Sequence, residues 1–407
     1  MNKSNQSFMS RRIGRCVDHR IGVGCRVRRQ PTLVSLALLA LLIAGTWSPC
    51  KATDVRAEVL SSAEPGHVFM IRKGEGAVVV KHFNATAAQK IRLSGFGALS
   101  RDQLQATLKQ IDGDIVLDLG SGQTLRIAGV DEGVISSIQI ELDRSRLAQT
   151  FVDDFDELSL DLEDDHVVGR RGTWRTNFGY GGPLSVHSRT LVNNAELEVY
   201  ADRQFAGTGN SSLNLNPFRI VSGKLEIVAD KLSEEVRPLV WMRSYSSGLL
   251  TTKASFSQTY GVFEIRARMP EGKGLWPAFW LLPVNGDWPP EIDVLEILGD
   301  KPDKLYCSWH SNVGGQHSAD TKTIDVPDTS AGFHTYSLEW TKDVVNWYFD
   351  EIQVASHPTP QDFHQPMYML VNLAVGGHWP GDPNSSTRFP ATYSIDWIRA
   401  YTRQNEQ

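Results

Sequence analysis

From about Phe151 onward the chain is written in short alternating runs. Tyr260-Gly-Val-Phe-Glu-Ile-Arg-Ala-Arg-Met269 alternates apolar and polar side chains, as do His334-Thr-Tyr-Ser-Leu-Glu-Trp340 and Val344-Val-Asn-Trp-Tyr-Phe349. Val221-Ser-Gly-Lys-Leu-Glu-Ile-Val-Ala229 does the same around a turn. A period of two sends one face of a segment to a core and the other outward, which describes a half-buried strand. Many such strands between Gly and Pro punctuation, with no βαβ rhythm, predict an all-β fold, a concave β-sandwich able to cradle a long polymer across one face.

Upstream, residues 53–148 predict a small β-rich accessory module. Val68-Phe-Met-Ile71, Ala77-Val-Val-Val80, Ile115-Val-Leu-Asp-Leu119 and Thr124-Leu-Arg-Ile127 read as strands separated by glycines. Ser100-Arg-Asp-Gln103 has the capping-box pattern, opening a helix expected to carry Leu104, Leu108 and Ile111 on one stripe. Residues 1–52 read as an export signal. A basic stretch ending at Arg28-Arg29 precedes the apolar run Leu33–Gly45, and Cys50-Lys-Ala52 supplies small residues for cleavage. That run is short of the roughly 20 residues of a membrane span, so the expected location is secreted or periplasmic, with membrane contact only through the signal.

Charge follows the same division. The formal net charge is -6, but residues 1–52 hold nine Lys/Arg against Asp18 alone, which leaves the remainder near -14. An acidic body excludes nucleic acid as a partner class, because phosphate binding needs clustered Lys/Arg. Cys16, Cys25 and Cys50 fall in the signal, so Cys307 is the single thiol of the expected mature chain and reads as a small buried hydrophobe.

Chemistry concentrates in Glu291-Ile-Asp-Val-Leu-Glu296, which follows Trp288-Pro-Pro290 and enters a strand from a loop. Glu291 and Asp293 then share a face, while Ile292 points into the core. Glu296, five residues after Glu291, faces away unless one extra residue, a β-bulge at Val294-Leu295, turns it back. Crowded carboxylates raise one another's pKa, and glycoside hydrolysis needs that asymmetry, one group ionised and one protonated. A bare Glu-x-Asp-x-x-Glu also fits a solvated acidic edge or a cation site.

The surrounding motifs change that balance. Tyr260–Pro270, Gly274-Leu-Trp-Pro-Ala-Phe-Trp-Leu-Leu-Pro283, Asn193-Asn-Ala-Glu-Leu197, Leu239-Val-Trp-Met242, Ser247-Gly-Leu-Leu-Thr251, Asn372-Leu-Ala-Val-Gly-Gly-His-Trp-Pro-Gly381 and Ser394-Ile-Asp-Trp-Ile-Arg-Ala-Tyr401 together closely resemble glycoside hydrolase family 16 over 151–401. The resemblance implies a concanavalin-like jelly roll and retaining endo-hydrolysis of β-1,3 or mixed β-1,3/1,4 bonds, with a β-glucan or bacterial exopolysaccharide as substrate. It implies Glu291 as nucleophile, Asp293 as its assistant and Glu296 as acid/base, in the bulged branch that includes laminarinases. Endo-transglycosylation on the same fold and non-catalytic carbohydrate binding are the alternatives. The tryptophans Trp276, Trp280, Trp288, Trp309 and Trp379 are sugar-stacking candidates, with His310, Asn177 and Arg243 as polar cleft candidates. No cofactor is expected for catalysis. A structural calcium is implied at Asp396, with backbone carbonyls near Gly223 and Asp153-Asp-Phe155. The stretch Arg170–Pro183 departs from laminarinases, and Asn194–Tyr200 looks more like enzymes that trim bacterial exopolysaccharides. Residues 55–148 resemble the capping segment of calcium-binding hemolysin-type repeat proteins, but without the glycine-aspartate nonapeptides calcium is not carried over to them.

Overall fold

A computed structural model describes residues 57–162, 172–179 and 185–404. The export signal read in residues 1–52 and the two ends of the Arg170–Pro183 stretch, 170–171 and 180–183, lie outside the described residues. Among those described, two sheets form a jelly-roll sandwich. The larger has ten strands, including Leu225–Lys231, Gly261–Arg268, His334–Trp340, Val344–Phe349 and Ala391–Arg403. The smaller has six, in the order Leu249–Thr251, Met367–Val375, Leu275–Pro283, Glu291–Glu296, Lys304–Ser311 and Ser318–Asp325. Leu225, Ile227, Phe263, Ile265, Leu338, Trp340 and Trp347 of the larger sheet pack between the layers on Phe279, Leu281, Ile292, Leu295, Val371 and Leu373 of the smaller. The Ser222-Gly223 turn, with φ of 52° and 67°, joins Phe218–Ile220 to Leu225–Lys231.

The N-terminal part builds its own core from a five-stranded sheet and a three-stranded parallel sheet, with Phe69, Ile71, Ile91, Leu93, Leu117 and Leu125 among its buried residues. The capping box forms as the pattern predicts, Ser100 accepting from Gln103 N and Gln103 accepting from Ser100 N. The helix is shorter than expected and covers only Arg101–Ala106. Leu104 is buried, but Ile111 belongs to a strand, Lys109–Ile111, and is exposed. The cause is Asp112-Gly113, whose φ values of 52° and 82° make a tight hairpin to Asp114–Asp118 and draw the chain out of the helix.

This part packs against the larger sheet, where Gln353 accepts from Arg101 N and donates to Leu99 O. The residues on that sheet's outward face are polar, as alternation requires, yet Glu264, Ser337, Glu339 and Asn346 are all fully buried. Their partners come partly from the covering chain, which supplies Arg144, and partly from the sheet itself, which supplies Arg403 and Tyr348. Arg144 binds Glu264 and Glu351 together, and Arg403 pairs with Glu339, which also accepts from the Tyr348 hydroxyl at 2.6 Å. Removing one partner from a buried pair strands the other charge, at a cost of about 3–5 kcal/mol. Arg403→Met is therefore expected to lower unfolding free energy in urea by that order. Adding Glu339→Gln, which needs no counter-charge and still accepts from Tyr348, should recover much of the loss. Additive losses in the double mutant would show that the pair is not coupled.

Candidate active site

Residues Glu291–Glu296 form a strand between Leu275–Pro283 and Lys304–Ser311. Glu291 lies opposite His310, Ile292 opposite Trp309 and Asp293 opposite Ser308; then the register slips and Glu296 meets Tyr306. On the other side Leu295 pairs with Phe279 and Asp293 with Trp280, so Val294 is the extra residue of a bulge. Val294 and Leu295 both stay in the core, at 1% and 0% exposure. Glu291, Asp293 and Glu296 therefore line one cleft of about 640 Å³ on the outer face of the smaller sheet. The Asp293 carbonyl accepts a 2.8 Å hydrogen bond from the Trp347 indole, reaching across the core from the larger sheet.

Environment separates the three carboxyl groups. Burial pushes the Asp293 carboxyl well above the ordinary range, and the charges of Glu291 and Glu296 add to it. Glu296 is pushed up to about 7, first by burial and then by Glu291. Two donors hold it from rising further, the Trp276 indole at 3.0 Å and the Ser308 hydroxyl at 3.2 Å. Glu291, at the more open end, accepts from the Trp288 indole. His310 Nε2 stands 3.7 Å from Asp293 Oδ2, and burial lowers the pKa of its ring.

The expected aromatic residues divide. Trp276, Trp288 and Trp379 line the cleft, with Trp288 57% and Trp379 40% exposed. Trp379 stands edge-on to Trp276 and to Tyr306. Trp280 reaches the cleft with one edge but is otherwise floor, 7% exposed and donating to Asn372 Oδ1 at 2.8 Å. Trp309 is on the wrong side. It is the neighbour of cleft-facing His310 on a regular strand, so it points to the core side and packs, tilted, against the His357 ring. Asn177 is buried and accepts from Gly179 N, while the next residue, Phe178, faces the cleft. Arg243 stands behind the wall and donates to the Glu196 carbonyl.

The residues proposed for calcium do not make an oxygen cage. Both oxygens of Asp396 are taken by cations, Lys224 at 3.4 Å and Arg266, while Asp153 turns to the Trp174 indole and Phe155 N. Two ammonium- and guanidinium-bearing side chains on the single carboxylate do not fit a divalent hard cation. Several cleft residues escaped the sequence reading. Ser308 and Thr321 follow by strand parity from His310, since Ser308 is two residues before it and pairs with Thr321. Glu196 carries no such signal. It forms part of the cleft wall, bound by Leu191 N and Asn194 Nδ2, beside a second buried carboxyl, Glu198, whose pKa burial and Glu196 raise well above normal.

The geometry can be set beside known proteins. The sequence model described as glycosyl hydrolases family 16 matches residues 201–399. The chain is 38% identical over 336 residues to endo-1,3-1,4-beta-glycanase EglC of Rhizobium meliloti (strain 1021), covering 82% of this chain and 69% of that protein. It is 40% identical over 314 residues to endo-1,3-1,4-beta-glycanase ExsH of the same organism, covering 77% and 64%. The laminarinase catalytic domain of Thermotoga maritima MSB8 superposes with a TM-score of 0.50 at 31% identity, over 64% of this chain and all of that one.

Two outcomes test this geometry. Any reaction that draws a proton from Glu296 should lose rate as pH rises through about 7. Ser308→Ala removes a hydrogen bond that lowers that pKa, so the alkaline limb of the pH profile should move to higher pH, and an unmoved limb would detach it from Glu296. Trp347→Phe leaves the Asp293 carbonyl buried without its donor, a cost of about 1–3 kcal/mol. Because the lost bond fixes the bulge, kcat is expected to fall with little change in KM.

Proposed function

The chain belongs to glycosyl hydrolases family 16, and on that premise we propose that it is a retaining endo-β-glycanase cutting internal β-1,3 or mixed β-1,3/1,4 bonds. The observation that carries this reading is the bulged row of three carboxyl groups along the cleft, with one of them near a pKa of 7. Glu291 attacks the anomeric carbon while Glu296 gives its proton to the departing sugar oxygen, so the glycosidic C–O bond breaks as the glycosyl-ester bond forms. Glu296, now ionised, takes a proton from water, whose oxygen displaces Glu291 and restores the starting anomer. Asp293, buried between them, shares a proton with its neighbours and sets which group holds it.

Stacking faces at Trp276, Trp288 and Trp379 suit sugar rings, and Asn194 and Glu196 offer polar contacts along one wall. The two Rhizobium relatives, named endo-1,3-1,4-beta-glycanases, support a β-glycan with 1,3 and 1,4 linkages as substrate, and the likeness of Asn194–Tyr200 to enzymes that trim bacterial exopolysaccharides favours one of those. Export through residues 1–52 accords with such a substrate.

The test is stereochemical. Glu291→Ala with azide and an activated glycoside is expected to give the α-glycosyl azide in one inversion, and Glu296→Ala the β-glycosyl azide in two. Either change should slow polysaccharide cleavage on the order of a hundredfold or more. The β-azide from the Glu291 variant would mean that the two roles are exchanged. Product sizing on β-glucans, galactans and exopolysaccharides then reads the linkage.

A further inference from the structure

Beside the Glu291 end of the row stands a histidine pair that the hydrolytic cycle leaves unused. His310 and His317 are stacked, ring centroids 5.4 Å apart, and His310 Nδ1 meets His317 Nε2 at 3.1 Å. A single proton serves those two nitrogens. With it on His310 Nδ1, the neutral ring carries its lone pair on Nε2, which faces Asp293 Oδ2 at 3.7 Å. Asp293 is 3% exposed, and among the described residues no N–H donor lies within hydrogen-bond distance of its carboxylate. The Trp288 indole donates to one oxygen of Glu291, and the Glu291 and Asp293 carboxyl groups are hydrogen-bonded to each other. One donor atom from each of Glu291, Asp293 and His310 lies within 4.8 Å of the other two. Three electron-pair donors thus converge with no fixed positive group among them.

We propose that Glu291, Asp293 and His310 bind a borderline divalent cation, with zinc(II) as the type, and that the bound ion reversibly shuts the cleft. One imidazole nitrogen with two carboxylate oxygens is a donor set that zinc accepts, with solvent at the remaining position, whereas calcium and magnesium favour oxygen alone. Zinc bonds of about 2.0–2.1 Å place neighbouring ligand atoms about 3.3 Å apart, so small side-chain rotations close the site. His317 acts one step removed. It accepts from His310 Nδ1, fixes the tautomer and aims Nε2 at the carboxylates, the part a ligand histidine's second partner ordinarily plays. An ion held there occupies the Glu291 oxygen that would attack the sugar and stands where the sugar ring must lie, so inhibition should be competitive with polysaccharide and reversed by a chelator.

The inhibitory half of this inference rests on Glu291 being the nucleophile; the binding half does not. Titration calorimetry of zinc chloride into the mature protein without polysaccharide reads binding alone, and kinetics at several zinc concentrations reads inhibition. One zinc per chain is expected. Glu291→Gln and His310→Gln should each weaken binding about tenfold or more, and magnesium should give no comparable heat. His317→Phe keeps the ring stack and loses the acceptor. It is expected to weaken binding several-fold, while hydrolysis in the absence of metal stays within about twofold of wild type. Zinc binding undiminished in both Gln variants, or no binding at millimolar zinc, overturns the proposal. Tight binding at these residues in a protein that cleaves no glycan would instead leave the site standing and remove the hydrolase reading.

Discussion

The hydrogen bond from the Trp347 indole to the Asp293 carbonyl is the constraint around which the rest of the site is arranged. A bulge interrupts the ladder, and in a buried sheet an interrupted ladder leaves a carbonyl that must find another donor. Here the donor comes from the opposite sheet, through the core, at 2.8 Å. It ties the position of the catalytic row to the packing distance between the layers. Val294 and Leu295 both remain buried on either side of the irregularity, so the core gives up no apolar contact to the bulge. Local strand geometry, core packing and the orientation of Glu296 are consequently a single fact seen at three scales.

With the row fixed, the chemistry follows from uneven hydration and uneven donors. Asp293 sits in the middle with burial and two like charges against its ionisation. Glu296, half-buried, has two good donors, Trp276 and Ser308, and settles near 7. A carboxyl poised there both gives and takes a proton at neutral pH, which acid–base work in two successive steps demands. Neither donor is an accident of the surface. Trp276 and Ser308 come from the two strands flanking the row and face the cleft by the same alternation that turns Ile292 inward. The sheet itself supplies the tuning.

That dependence on alternation explains what could be read from the chain. Period-two runs gave the strands of the sandwich, and Ser100 with Gln103 gave the helix start, because those signals are local. The helix end was misplaced because Asp112-Gly113 forms a hairpin whose partner strand lies beyond the window of helical periodicity. Within the site parity was legible: His310 and Trp309 are adjacent on one strand and cannot both face the cleft. Asn177, Arg243 and Asp396 were not legible. The Asn177 side chain closes a local turn onto Gly179 N, whereas Arg243 and Asp396 are claimed by the Glu196 carbonyl and by Lys224 with Arg266, partnerships that depend on how distant segments meet. Glu196 was hidden for the same reason, since a glutamate in a loop gives no sign that the fold will bury it beside Glu198.

The outward face of the larger sheet makes the complementary argument. Alternation there placed Glu264, Ser337, Glu339 and Asn346 where solvent would be expected, yet all four are at 0% exposure. Polar groups of this kind are tolerable in a dry layer only if every charge is answered, and Arg144 and Arg403 answer Glu264 and Glu339. Arg144 lies near the end of the N-terminal part, and Gln353 fastens that part directly. Without the cover, water would hydrate the glutamates and the arginines would add little. With it, the glutamates need the arginines. The covering segment and the outward face therefore depend on one another at the Arg144–Glu264 pair, while Glu339 is answered from within the sheet by Arg403. One face of the sheet that carries Trp347 is thus packed against the N-terminal part through Gln353, while the Trp347 indole on its other face holds the Asp293 carbonyl at the bulge.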